Sequence, residues 1–165
     1  MEYLFLKRRK TTFTSERQKN LLFKAADRQW EAEVEGKIVA VRKVDRDIYK
    51  CLLYQLEVRQ VFLDVTLSLK KLSVMIETNQ TYLSNVVNRY FGCNLKELVN
   101  GYRVEYAKEL LHAEYCSLEE IPLKCGFASK SAFYAAFSRL EGMSPMRYVV
   151  RAKRQDPETV CMQSD

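Results

Sequence analysis

The sequence predicts an all-α protein built from two helix-turn-helix subdomains joined by a linker helix, with an N-terminal helical extension. Three observations lead there. Five Gly and three Pro in 165 residues are too few for a turn-rich β fold. Long stretches rich in Leu, Glu, Lys and Ala place apolar residues at helical spacing. One two-helix pattern is also written twice, about fifty residues apart. The expected organisation is an extension over 1–45 with a basic run and a helix, a double helix-turn-helix domain over 46–150, and a polar tail over 151–165.

The repeat sets SLKKLSVMIETNQTYLSNVVNRYFGCNLKELV (68–99) over SLEEIPLKCGFASKSAFYAAFSRLEGMSPMRYV (117–149). From Asn79 onward each residue pairs with one fifty further on: Leu83 with Phe133, Val87 with Phe137, Arg89 with Arg139, Gly92 with Gly142. Before the turn the offset is 49, so the second copy has one extra turn residue. Each copy begins with a Ser (Ser68, Ser117) and a short helix of about eight residues. A tight turn follows, and then Asn79 or Ser129, whose side chain suits the cap of a second helix of about twelve residues. Gly92 and Gly142 suit the left-handed residue just past that helix. A linker helix over 95–112 joins the copies; at about 1.5 Å per residue it spans roughly 27 Å. With helix widths added, that suits two reading heads one DNA turn (about 34 Å) apart.

Upstream, Ile48, Tyr49, Leu52, Leu53, Leu56 and Val61 predict a helix packed on the domain. Residues 15–33 predict another helix, opened by the Ser-x-x-Gln capping box at Ser15. Residues 35–44 read as a short strand or an extended linker. MEYLFLKRRK reads either as a frayed terminus or as the last turn of a membrane span with its basic flank, in which case the chain follows something longer. The run KRRK is a solvated flank or a contact for phosphate or a lipid surface.

The first copy's second helix carries the functional signal. Tyr82, Leu83, Val86, Val87 and Tyr90 form its expected apolar stripe. Opposite, where Glu, Lys and Arg usually solvate a helix, stand Thr81, Ser84, Asn85 and Asn88, which are poor helix formers. Short side chains that donate and accept hydrogen bonds suit base edges in a major groove: Asn bonds adenine bidentately, and Ser and Thr reach several edges or a thymine methyl. The N-terminal residues of a recognition helix are the ones that meet the bases. Gln80 joins this set at the helix start, giving Gln80, Thr81, Ser84, Asn85 and Asn88 as DNA-binding candidates. The second copy offers Lys130, Ser131 and Tyr134, a poorer face expected to position more than to specify.

Other function classes find no residues to work with. One His, no phosphate-cradling Gly-rich loop and no nucleophile motif leave no enzyme reading. Five cysteines without metal-ligand spacing read as apolar fillers, so no metal or cofactor is expected. The net charge of +6 suits an anionic partner without identifying one.

At this point residues 66–150 resemble the DNA-binding domain of the AraC/XylS family of bacterial transcription regulators. The resemblance rests on GFASKSAFYAAFSRLEGMSPMRYV (126–149), on RVEYAKELL (103–111) in the linker, and on TNQTYLSNVVNRYFG (78–92). It implies a bacterial, cytoplasmic, monomeric two-headed reader of double-stranded DNA. Thr81, Ser84 and Asn85 match base-facing positions of the first head, and Lys130, Ser131 and Tyr134 those of the second. Leu83, Val87, Phe127, Phe133 and Phe137 match core positions, and Arg103 a structural one. Three departures stand out. Glu77 lies near where relatives often place Gly, leaving the turn geometry open. Pro122 is expected inside a helix, where it removes a backbone donor. Ala135 replaces a long polar or basic residue and weakens the second head. The likeness is strongest to regulators whose output domain follows a membrane-bound or phosphorylation-linked sensor, and the first 45 residues are too few and too charged to form a sugar-binding barrel. RNA polymerase, an upstream sensor and self-association through residues 1–45 are candidate partners. The alternative function is a degenerate helix-turn-helix that binds protein and no specific DNA.

Overall fold

A computed structural model of the chain describes residues 24–26, 28, 43–112 and 117–155. The basic run, the capping box at Ser15, most of the expected 15–33 helix, residues 35–42 and the end of the tail lie outside the described residues. Residues 24–26 and 28 are helical, with Ala26 buried. The described elements are helices α1 (Lys43–Leu53), α2 (Leu69–Met75), α3 (Gln80–Val86), α4 (Leu95–His112), α5 (Ile121–Lys124), α6 (Lys130–Glu141) and α7 (Pro145–Gln155). There is no strand among the described residues, so the all-α expectation holds. The chain divides into two compact units, and the division falls inside α4, after Tyr102.

In the first unit, α1 supplies the largest share of the core. Ile48, Tyr49, Leu52 and Leu53 are buried, and a wider π-wound turn over Tyr54–Val58 adds Leu56. The helix stops before Val61, contrary to the sequence expectation. Gln60 turns left-handed (φ 50°), and a 3₁₀ turn over Val61–Leu63 brings Phe62 inward in place of half-buried Val61. Phe62 stacks on Tyr102 of α4 at 5.7 Å, and the Tyr102 hydroxyl donates to buried Glu57 at 2.5 Å. A buried carboxylate needs such donors to offset its lost hydration. Lys43 and Val44 open α1, so the strand or linker expected over 35–44 does not extend to them.

Capping follows the sequence closely. Ser68 accepts from the Lys71 N–H at 3.2 Å, Asn79 from Tyr82 at 2.8 Å and Ser129 from Ala132 at 3.2 Å. Asn94 and Glu97 cap α4 reciprocally, at 3.0 and 3.2 Å. Gly92 and Gly142 close the two longer helices at φ 67° and 68°.

The turn left open at Glu77 is resolved: Glu77 itself is left-handed, at φ 58°. Its N–H bonds the Val74 carbonyl and the Thr78 N–H bonds that of Ser73, the double closure of a Schellman helix end. Gly126 (φ 80°) does the same in the second copy, with Gly126 bonded to Leu123 and Phe127 to Pro122.

The second unit packs Val104 and Ala107 of α4 with Ile121, Cys125, Phe127, Phe133, Ala136 and Phe137. Phe133 sits edge-on to Phe127 at 5.4 Å and to Phe137 at 5.6 Å. Arg103 lies over the Phe127 ring at 5.5 Å, a structural role. Pro122 sits in the first turn of α5 and not in a helix interior. It has no N–H for the Leu118 carbonyl, so residues 118–120 form a turn and the helix is shorter than expected.

Candidate nucleic-acid interface

The first recognition helix is α3, which starts at Gln80 behind the Asn79 cap and continues as a π-wound turn over Val87–Phe91. Leu83, Val86 and Val87 are buried and fix which side faces the core. Gln80, Thr81, Asn85 and Asn88 are exposed, and Ser84 is half-buried at the edge of the same surface. Among the described residues no hydrogen bond or ion pair occupies these five side chains. No charged residue occurs from Gln80 to Asn88. Thr81, Ser84 and Asn85 share the α-helical part and follow its period. Asn88 lies in the wider turn, so it is out of strict phase with them.

Tyr82 departs from the sequence expectation. Periodicity puts it on the apolar stripe, but it is 45% exposed, beside exposed Thr81 and Asn85. Leu83, Val86 and Val87 form the buried side of the helix, and Tyr82 lies off it. The repeat held the signal that finds this: Tyr82 pairs with Ala132, a residue with nothing to bury.

The second recognition helix, α6, repeats the arrangement. Residues 131–139 alternate between buried, half-buried and exposed in the same order as 81–89. Ser131 is exposed. Lys130 is exposed and pairs with Glu119 at 3.5 Å, a surface pair that competes weakly with other anions. Tyr134 is half-buried, edge-on to Phe133 at 5.5 Å, and part of its ring belongs to the core. Ala135 is exposed and offers no polar group.

Around the first helix the charges are tied to structure. Arg89 reaches Asp45 of α1 at 3.4 Å, and the Tyr90 hydroxyl reaches the same carboxylate oxygen at 3.4 Å. Burial pushes the Tyr90 hydroxyl above its ordinary pKa, so it stays protonated and able to donate. At the approach to α2, hydrogen bonds from Lys71 and then Thr66 hold the Asp64 carboxyl at about 2. No described helix is long and apolar enough to cross a membrane.

Comparison with known proteins gives this geometry a context. A helix-turn-helix domain family matches residues 72–151. The melibiose operon regulatory protein of Escherichia coli K12 is 28% identical over 85 residues, 52% of this chain and 28% of that protein. The probable transcriptional regulator LumQ of Photobacterium leiognathi is 33% identical over 82 residues, 50% of this chain and 33% of that protein. The chain thus spans about a third or less of the length of these curated relatives. The DNA-binding domain of the transcription factor AdpA, solved with a target DNA, shares the fold with a TM-score of 0.59 at 20% identity, over 67% of this chain and 96% of that one. Two capped helix-turn-helix copies, the matched segment and these relatives agree: residues 72–151 are an AraC-type helix-turn-helix domain.

Proposed function

We propose that this chain regulates transcription by reading double-stranded DNA in sequence-specific fashion, with α3 and α6 entering successive major grooves. The observation that carries it is the uncharged and unoccupied set Gln80, Thr81, Ser84, Asn85 and Asn88 at and beyond the capped start of α3, exposed except for half-buried Ser84. Groups in this state have their hydrogen bonds to water exchanged for bonds to bases at little cost. The first head supplies most of the specificity. In the second, Lys130 and Ser131 engage backbone or bases, while Tyr134, held by its packing, has less freedom to adapt. The proposed domain organisation is an extension over 1–45, a DNA-binding region over 46–150 and a tail over 151–165. The protein works in the cytoplasm, carries no catalytic activity, and takes input from an upstream sensor or from self-association through residues 1–45, with RNA polymerase as the downstream partner.

The test is selection of duplexes from a random pool by the purified chain, followed by titration of the winner at several salt concentrations. A specific reader enriches one sequence class, binds it in a strongly salt-dependent way, and loses affinity for it on Asn85→Ala while random DNA is affected less. Failure to enrich any duplex, together with capture of a defined protein partner through the same face, would replace this reading with the interaction module.

A further inference from the structure

The first recognition helix is gripped from behind by α1, which lies outside the segment that the helix-turn-helix family matches. Four contacts make the grip. Asp45, in the first turn of α1 and 8% exposed, brings Oδ2 to 3.4 Å from Arg89 Nη1 and 3.4 Å from the Tyr90 hydroxyl. One turn on, Tyr49 is fully buried, stacks on Phe91 at 5.1 Å and meets Tyr90 edge-on at 6.2 Å. All three targets belong to the π-wound turn that continues α3 up to Gly92.

Such a turn is a weak winding, commonly found at functional positions and dependent on outside contacts to persist. Here those contacts come from one neighbouring helix and fall on three consecutive residues. The same helical body carries Thr81, Ser84 and Asn85 at its other end. We propose that Asp45 and Tyr49 are positioning residues for DNA reading: by fixing the Val87–Phe91 turn they set how α3 presents its N-terminal side chains. A displacement of α1 by whatever engages residues 1–42 is then transmitted to the reading face. This deepens the DNA-reading proposal above and rests on it.

The experiment uses the full chain with Asp45→Ala, Asp45→Asn, Tyr49→Phe and Arg89→Ala. For each, the ratio of affinities for the selected duplex and a duplex scrambled under the first head is measured. Backbone amide exchange of residues 80–91 is measured alongside, without DNA. Asp45→Ala and Asp45→Asn are expected to lower the discrimination ratio about tenfold, without weakening binding to scrambled DNA, and to speed exchange in Val87–Phe91. Tyr49→Phe keeps the ring and so keeps the ratio. Arg89→Ala matches Asp45→Ala, and the double variant loses no more than either single one. An unchanged ratio, or an equal loss on both duplexes, overturns the proposal. If the wild-type chain discriminates between no duplexes, the DNA reading itself fails; unchanged exchange in Asp45→Ala would then sink the positioning role independently.

Discussion

Glu77 and Gly126 hold the same left-handed turn in the two copies, at φ 58° and 80°, closing the same pair of backbone hydrogen bonds. Only one of them is built for it. A Cβ in this region meets the following carbonyl and costs roughly 1–2 kcal/mol. Glu77→Gly is therefore expected to stabilise the first unit by about 0.5–1 kcal/mol, the gain being trimmed by the greater freedom of unfolded Gly. Urea denaturation of the two chains checks this.

At Gly92 and Gly142 the surroundings are open, with nothing within 4 Å of an added Cβ. Alanine there meets only the backbone penalty, so each single substitution should cost about 1–2 kcal/mol. Because no neighbour must move, the costs at the two sites should add in the double variant.

Tyr102→Phe removes the hydroxyl that Glu57 accepts from at 2.5 Å while keeping the stack on Phe62. A buried carboxylate that loses a donor is expected to cost roughly 1–3 kcal/mol in chemical denaturation. Tyr102→Phe with Glu57→Gln should recover part of it, since the neutral amide demands less of its surroundings.

Phe133 joins Phe127, Tyr134 and Phe137 at the centre of the second unit's core. Phe133→Ala should cost about 3–5 kcal/mol. Amide exchange should rise throughout α6 and stay near wild-type in α1 and α3, which have their own core.

Asp64 titrates near 2 against a reference of 3.8, through its bonds to Lys71 and Thr66. A depressed carboxyl pKa stabilises the fold above the unfolded value, and that contribution is lost as pH falls from about 4 to 2. Asp64→Asn should thus lower the thermal midpoint at pH 7, and the gap to wild type should shrink steadily across that window.

Much of this molecule was legible because helix ends are local chemistry. Ser68, Asn79 and Ser129 cap where their side chains allow, whatever packs around them. Leu83, Val87, Phe133 and Phe137 were legible because the repeat states their role twice. The break at Gln60 was not: a non-Gly residue turned left-handed to bring Phe62 onto Tyr102 answers to a partner forty residues away in the chain. The same holds for Asp45, whose partners Arg89 and Tyr90 lie more than forty residues downstream. Tyr82 was misplaced because periodicity ranks residues by hydrophobicity, and Tyr82 lies off the buried side of the helix that Leu83, Val86 and Val87 form. Within the candidate site, the residue set was readable, but the phase of Asn88 was not, because it depends on how α3 is wound beyond Val86.

That winding also sets the two copies apart. From Gln80 to Gly92 and from Lys130 to Gly142 the chain spends the same number of residues, so the copies align letter for letter with no gap. Yet one is α-helical to its end and the other loosens after its seventh residue. The two copies thus differ in pitch and agree in count, a difference invisible to any alignment of one with the other.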